Sequence, residues 1–238
     1  REVVDALGKA SAEKNIKGIF LTGVFAPSGY GCGYETILEF IRALENFKQS
    51  GKKIVGYLHS PRQLDYLVYS ICDELIMDPA GTMLLPGLAS EQLFLGDALK
   101  KYGVGIQVVR TGRYKGAVEP FTNNQFSEDN RAQVQSLLDS RWEHYLRTIA
   151  TARSMRWEDL NGTLSEKFLW KPEAAVTRGL VDRIDDFGGV IDRLIELGAA
   201  EKEENTFAQV EFGEYLERMR PNPLEEDEDG QKIAIIYV

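Results

Sequence analysis

Short apolar runs alternate with amphipathic segments along the N-terminal third of this 238-residue chain. Residues 16–21, 53–58 and 74–77 have the length and the β-branched, aliphatic composition of strands. Apolar side chains between the first two runs recur at spacings of three and four residues, as on one face of a helix: Ile37, Phe40, Ile41, Leu44 and Phe47. This alternation predicts an α/β fold with a mainly parallel sheet, because parallel strands are joined by helical crossovers.

The second half of the chain is predicted to contain a long helix that begins after Ser127. Serine is a favoured N-cap residue, and Glu128 and Asp129 suit the positive end of the helix. One apolar stripe follows the helix: Val134, Leu137, Leu138, Trp142, Tyr145, Leu146 and Ile149. A stripe of this kind is typical of core or subunit packing, with a cofactor wall as the alternative. Shorter helices are predicted around residues 95–102, after Pro172 and through residues 190–195.

Composition excludes several classes of function. The net charge of −9 argues against nucleic-acid binding, which requires clustered positive charge. No apolar run approaches the roughly 20 residues that cross a bilayer. The chain opens inside an amphipathic helix, so we expect the gene to encode an apolar stretch before Arg1; a start codon just upstream would contradict this.

Cysteines and histidines are too few for common metal or triad chemistry. Cys32 and Cys72 lack zinc-site spacing, and buried free thiols are favoured over a disulfide. His59 follows a strand and is a lesser site candidate, whereas His144 lies within the long helix. We predict no metal and no other cofactor.

A glycine-rich loop at residues 28–33 separates the first strand from the first crossover helix. Its glycines fall at alternate positions, which matches neither the dinucleotide-binding fingerprint nor the Walker A motif. The loop therefore favours close approach of the backbone to a bound peptide over nucleotide binding.

The strongest chemical signal is Lys115, which lies between small and apolar residues. An apolar run at residues 106–109 predicts a buried strand leading into Gly112 and this lysine. A lysine has a reference pKa of about 10.4 and acts as a base near neutral pH only when desolvation or positive charge lowers that pKa. Arg110 and Arg113 could supply such charge. The alternative is an ordinary surface lysine in a turn.

Residues 114–121, Tyr-Lys-Gly-Ala-Val-Glu-Pro-Phe, resemble the lysine motif of the signal peptide peptidase A (protease IV) family. The resemblance covers nearly the whole chain, in the family's order of segments. It implies the spiral ββα fold of the Clp proteases and crotonases, with a long oligomerisation helix. It also implies that Lys115 is the general base of a Ser–Lys dyad, supported by Gly112, Tyr114, Gly116 and Glu119.

The family's serine pattern is absent from this chain. The equivalent position falls at about Leu64, with Ser60 before the helix start and Ser70 within the helix. The family's long form fuses two similar halves, of which the first contributes the lysine and the second the serine. The resemblance thus makes this chain the lysine-donating half, inactive alone. Its partner is a C-terminal half carrying the nucleophilic serine, in the same polypeptide or a neighbouring subunit.

Three segments are predicted. Residues 1–220 form the peptidase-fold half, residues 221–230 an acidic linker, and residues 231–238 the first strand of a following repeat. The linker lacks the spacing of a calcium-binding loop, which is the alternative interpretation of its acidic residues.

The resemblance implies a membrane-associated endopeptidase that degrades cleaved signal peptides, with apolar peptides as substrates. It also implies a homo-oligomer, a tetramer in the family, on the periplasmic side of the bacterial inner membrane or at the thylakoid membrane. Two alternatives remain open. One is a non-catalytic scaffold domain, and the other is a crotonase-type acyl-CoA enzyme, for which the sequence offers no catalytic carboxylate pair.

Overall fold

A computed structural model describes residues 2–25, 33–109, 111–112, 114–198, 200–201 and 206–219. The helices are α1 Glu2–Ala12, α2 Tyr34–Lys48, α3 Gln63–Tyr69, α4 Gly96–Lys101, α5 Glu119–Thr122, α6 Glu128–Ala152, α7 Trp157–Glu166, α8 Pro172–Thr177, α9 Phe187–Leu197 and α10 Phe212–Met219. The strands are β1 Gly18–Thr22, β2 Lys53–Leu58, β3 Glu74–Met77, β4 Met83–Leu84, β5 Leu169–Trp170, β6 Arg183–Ile184, β7 Ala200–Glu201 and β8 Thr206–Phe207. The glycine-rich residues 26–32, Arg110, Arg113 and residues 220–238 lie outside the described part, so the linker and the last strand stay predictions.

The main sheet has four strands in the order β1-β2-β3-β6, and all three of its pairings are parallel. Two small antiparallel pairs, β4 with β5 and β7 with β8, complete the strands that are described. The α/β fold with a mainly parallel sheet is therefore confirmed.

The sheet buries apolar side chains on both faces. On one face, Ile54 and Leu58 of β2 join a large core with α1, α2, α3 and the C-terminal half of α6. On the other face, Val55 and Tyr57 of the same strand pack with Val190 of α9. This alternation follows from the two-residue repeat of a strand, so the crossover helices cover one face and α9 the other.

A polar clamp at Asp182 joins the sheet to α6. The Asp182 carboxylate accepts a hydrogen bond from the Leu75 backbone N–H at 2.7 Å, and Asp182 N–H donates to the Leu75 carbonyl. The Arg153 guanidinium, one residue past α6, donates to both Asp182 oxygens at 3.0 and 2.6 Å. The C-terminal end of α6 is thus fixed to β3 and to the chain entering β6.

The predicted strand at residues 106–109 is wrong. These residues have no regular structure, and Val109 is fully exposed, with a relative accessibility of 102%. Among the described residues no strand pairs with this segment. An apolar run becomes a buried strand only where a neighbour covers it.

The apolar stripe of α6 is buried only in its C-terminal half. Tyr145, Leu146 and Ile149 belong to the core, whereas Leu137 is exposed. Core packing is therefore confirmed for this half, and the predicted subunit packing of the exposed half stays a prediction.

We expect Arg153→Ala to lower the free energy of unfolding by about 1–3 kcal/mol, because a largely buried guanidinium loses two charge-assisted hydrogen bonds. Arg178→Ala, which removes an exposed ion pair with Glu166, is the control and should cost less than about 0.5 kcal/mol. Denaturant titration measures both values. Equal losses of unfolding free energy in the two variants would contradict a stabilising role for the Arg153–Asp182 contact.

Candidate active site

Lys115 begins a short ordered turn on the surface of the chain. It precedes a single 3₁₀ turn, Gly116–Val118, which continues directly into α5. The side chains of Lys115 and Tyr114 are exposed. The predicted dry setting of the lysine is not formed by the part of the chain that the structure describes.

The Glu119 carboxylate lies buried beneath this exposed turn, with a relative accessibility of 1%. One carboxylate oxygen accepts from the Ser127 hydroxyl at 2.6 Å. The other accepts from the Ser127 backbone N–H at 3.0 Å and from Asn130 Nδ2 at 3.1 Å. The carboxylate therefore lies against the N-terminus of α6, where negative charge is stabilised. Glu119 therefore anchors the turn. Arg110 and Arg113, the predicted sources of positive charge near Lys115, lie outside the described residues.

Ser127 is the N-cap of α6, as the sequence predicts. Its hydroxyl oxygen accepts from the Asn130 backbone N–H at 3.2 Å while its O–H donates to Glu119. The Ser127 hydroxyl thus caps α6 and also bonds the Glu119 side chain of the neighbouring turn.

Two glycines have physical reasons for their positions. Gly112 has φ +104°, a conformation that L side chains rarely adopt. Gly116 lies directly against the Asn130 side chain, and a Cβ there would come within 2.3 Å of Asn130 Nδ2. The glycines therefore shape the turn around Lys115.

Helix α4 braces the other side of this region. The Leu95 N–H donates to the Pro120 carbonyl at 2.6 Å, and the Gly96 N–H donates to the Asn123 carbonyl at 3.2 Å. The Phe94 and Phe126 rings meet edge to face, with centroids 5.1 Å apart. The Lys115 turn is consequently held between α4 and the first turn of α6.

The start of α3 carries no hydroxyl at Leu64, the position that the sequence analysis predicts to be equivalent to the nucleophile. Leu64 occupies its first turn, half-buried. Ser60 is exposed and precedes the helix, and the Ser70 hydroxyl is buried and donates to the Leu67 carbonyl at 2.8 Å. Leu64 and Ser60 lie where the sequence analysis expects them, whereas Ser70 is the C-cap of α3, one residue past the helix in which it is predicted.

Asp65, next to Leu64, is a buried polar residue that the sequence analysis missed. Its carboxylate accepts from the Phe25 N–H at 2.7 Å and from the Arg62 N–H at 3.1 Å. The second bond belongs to a capping box, in which the side chain of the third helical residue accepts from the N–H of the N-cap residue, here Arg62. The spacing of three residues between Arg62 and Asp65 could have identified Asp65 from the sequence. The first bond joins the start of α3 to the loop after β1.

The lesser candidates make local contacts. His59 Nδ1 lies 3.4 Å from Asp78 Oδ2, which also accepts from the Tyr57 hydroxyl at 2.6 Å. This bond and one from the Ala80 backbone hold the pKa of Asp78 below its ordinary value. Burial raises the pKa of the free Cys72 thiol to about 12, so Cys72 is an inert core residue. Its predicted alternative partner, Cys32, is not among the described residues.

Two further findings concern the described residues alone. They include no group of three or more His, Cys, Asp or Glu side chains arranged to hold a metal ion. None of their helices combines the length and hydropathy that a bilayer span requires.

Several known proteins are similar to this chain in sequence. The profile of peptidase family S49 matches residues 46–201, which include Lys115, Glu119 and Asn130. Protease 4 of Haemophilus influenzae is 26% identical over the whole chain, and "Serine protease SPPA, chloroplastic" of Arabidopsis thaliana is 30% identical over 82% of it. Protease 4 of Salmonella typhi is 30% identical over 67% of the chain.

The chain spans only part of each relative. It aligns with 39% of the Haemophilus protein, 28% of the Arabidopsis protein and 25% of the Salmonella protein. The matched profile nonetheless covers more than half of this chain, on both sides of the Lys115 turn. The chain therefore belongs to peptidase family S49.

Proposed function

We propose that this chain is the lysine-donating half of a membrane-associated serine peptidase that degrades cleaved signal peptides. The observation that carries the proposal is an exposed lysine on a turn fixed by buried polar contacts, in a chain with Leu64 at the nucleophile position. Such a lysine is accessible to a hydroxyl from another part of the assembly. Membership of a peptidase family supports the reaction type.

The proposed reaction uses Lys115 as a general base. Its neutral amine accepts the proton of a serine hydroxyl as the serine oxygen attacks a peptide carbonyl. Backbone N–H groups beside the serine stabilise the oxyanion. The lysine then protonates the leaving amine, and water hydrolyses the acyl-enzyme.

The serine is supplied by a C-terminal half, either of the same polypeptide or of a neighbouring subunit in a homo-oligomer. Docking of that half would exclude water from around the Lys115 side chain, which is exposed in this chain. The segment described here would then be inactive by itself.

Substrates and location complete the proposal. Apolar peptides left in the membrane by signal cleavage are the proposed substrates. The chloroplastic name of the Arabidopsis relative supports a plastid location, where the thylakoid membrane is the proposed site. In a bacterium, the proposed site is the periplasmic side of the inner membrane. The membrane anchor would lie outside this segment.

In the full-length protein, we expect Lys115→Ala to lower kcat by about 10²–10⁴-fold, because general-base catalysis is lost. Lys115→Arg should be equally inactive, since a guanidinium stays protonated. The control is Lys101→Ala, which removes an exposed lysine at the end of α4 and should leave kcat unchanged. Peptide hydrolysis assays on folded variants measure these effects. Near-normal turnover of Lys115→Ala would favour the non-catalytic scaffold.

We also expect a fluorophosphonate probe to label the full-length protein at a serine beyond residue 238. The start of α3 has Leu64 where an activated serine would lie. Peptide mapping by mass spectrometry locates the label. A label on Ser60 or Ser70 would contradict the division of the dyad between two halves.

A further inference from the structure

The Lys115 turn contains more polar contacts than a helix cap needs. An ordinary N-cap is complete once the Ser127 hydroxyl accepts the Asn130 N–H. Here Glu119 adds three hydrogen bonds to Ser127 and Asn130, all to one buried carboxylate. The bond from the Ser127 N–H also serves the end of the helix, whereas the bonds from the Ser127 hydroxyl and from Asn130 Nδ2 join the turn to the helix.

The Asn130 side chain also contacts the turn at Gly116, the residue after Lys115. There is no room for a Cβ at Gly116, because Asn130 Cγ, Oδ1 and Nδ2 all lie within 2.3 to 2.7 Å of where it would be. Asn130 therefore touches the turn at two points, Gly116 and Glu119. Together they bracket the 3₁₀ turn that Lys115 begins.

The far end of α6 is fixed to the core. Tyr145, Leu146 and Ile149 are buried there, and Arg153 binds Asp182 beside the sheet. A helix of 25 residues is rigid over about 37 Å. Helix α6 can therefore fix the position of the exposed Lys115 turn relative to the core, although no layer of side chains buries the turn itself.

We propose that Asn130 and Ser127 are positioning residues for the general base, which they hold in place through Glu119 and Gly116. This inference rests on the proposed function of Lys115 and goes beyond it by naming the groups that set the lysine's geometry. Neither residue touches the reacting atoms. Their role is to hold the backbone of the turn in place while the Lys115 amine meets the serine hydroxyl of the C-terminal half.

The first test is Asn130→Ala in the full-length protein. We expect kcat to fall by about 10- to 100-fold, because displacement of a catalytic group by about 1 Å has effects of this size. KM should stay within about twofold, since Asn130 is not proposed to bind substrate. The control is Gln135→Ala on the same helix, whose exposed side chain bonds Asp139 and lies away from the turn.

A second test exchanges the two polar partners. Glu119→Gln weakens the bond to Asn130, and Asn130→Asp places two carboxylates about 3 Å apart. The double variant Glu119→Gln/Asn130→Asp restores one amide-to-carboxylate bond in the reverse direction. We expect its kcat to exceed that of either single variant, a non-additivity that independent effects would not give.

Two readouts separate positioning from stability. Backbone hydrogen exchange at residues 115–118 should accelerate in Asn130→Ala while exchange in β2 and β3 is unchanged. kcat should also remain about 10- to 100-fold low when it is normalised to the folded fraction measured by circular dichroism, which a mere loss of stability would not give. A loss of general stability would change neither feature selectively.

The outcomes are distinct. Inactive Lys115→Ala together with normal kcat and normal hydrogen exchange in Asn130→Ala would overturn this inference and leave the proposed function intact. Active Lys115→Ala would overturn the proposed function, and the positioning role with it. Reduced kcat with no recovery in the double variant would also overturn the inference.

Discussion

The parallel sheet must bury side chains on both faces, and this requirement decides where the rest of the chain lies. The large core on one face takes up α1, α2, α3 and the C-terminal half of α6, and α9 covers the other face. The segment from α4 to the start of α6 adds little to either core. The Lys115 turn lies in that segment, so polar contacts rather than hydrophobic burial must hold it.

Those polar contacts explain how a surface turn could serve as the proposed active-site element. Glu119 is the one residue of α5 that is buried, and its hydrogen bonds go to the N-terminus of a long helix anchored far away in the core. The turn is therefore ordered while the lysine at its start stays accessible. A site shared between two halves needs both properties, because the second half must reach an amine whose position is already set.

Regular elements that follow from local periodicity could be predicted from the sequence. Features that depend on contacts between residues distant in the chain could not. Strands β2 and β3 and the Ser127 cap are found at the predicted residues, since alternation and cap chemistry are local. Residues 106–109 looked like a strand because composition shows apolarity but not whether a partner is present. Asp65 binds Phe25, 40 residues away, and Asn130 binds Glu119, 11 residues away; neither pair has a periodic signature. The small and apolar neighbours of Lys115 made it a candidate, but its predicted role as a general base came from the resemblance, because lysine is common on surfaces.

The central claim is that the Lys115 amine meets a serine hydroxyl supplied from outside this chain. A crystal structure of the full-length assembly tests it most directly, through the distance from Lys115 Nζ to the nearest serine Oγ. The account predicts a hydrogen-bond distance of about 2.6–3.2 Å, with the amine enclosed by a second half. A Lys115 side chain that remains in solvent, with no serine of another half or subunit beside it, would contradict the account.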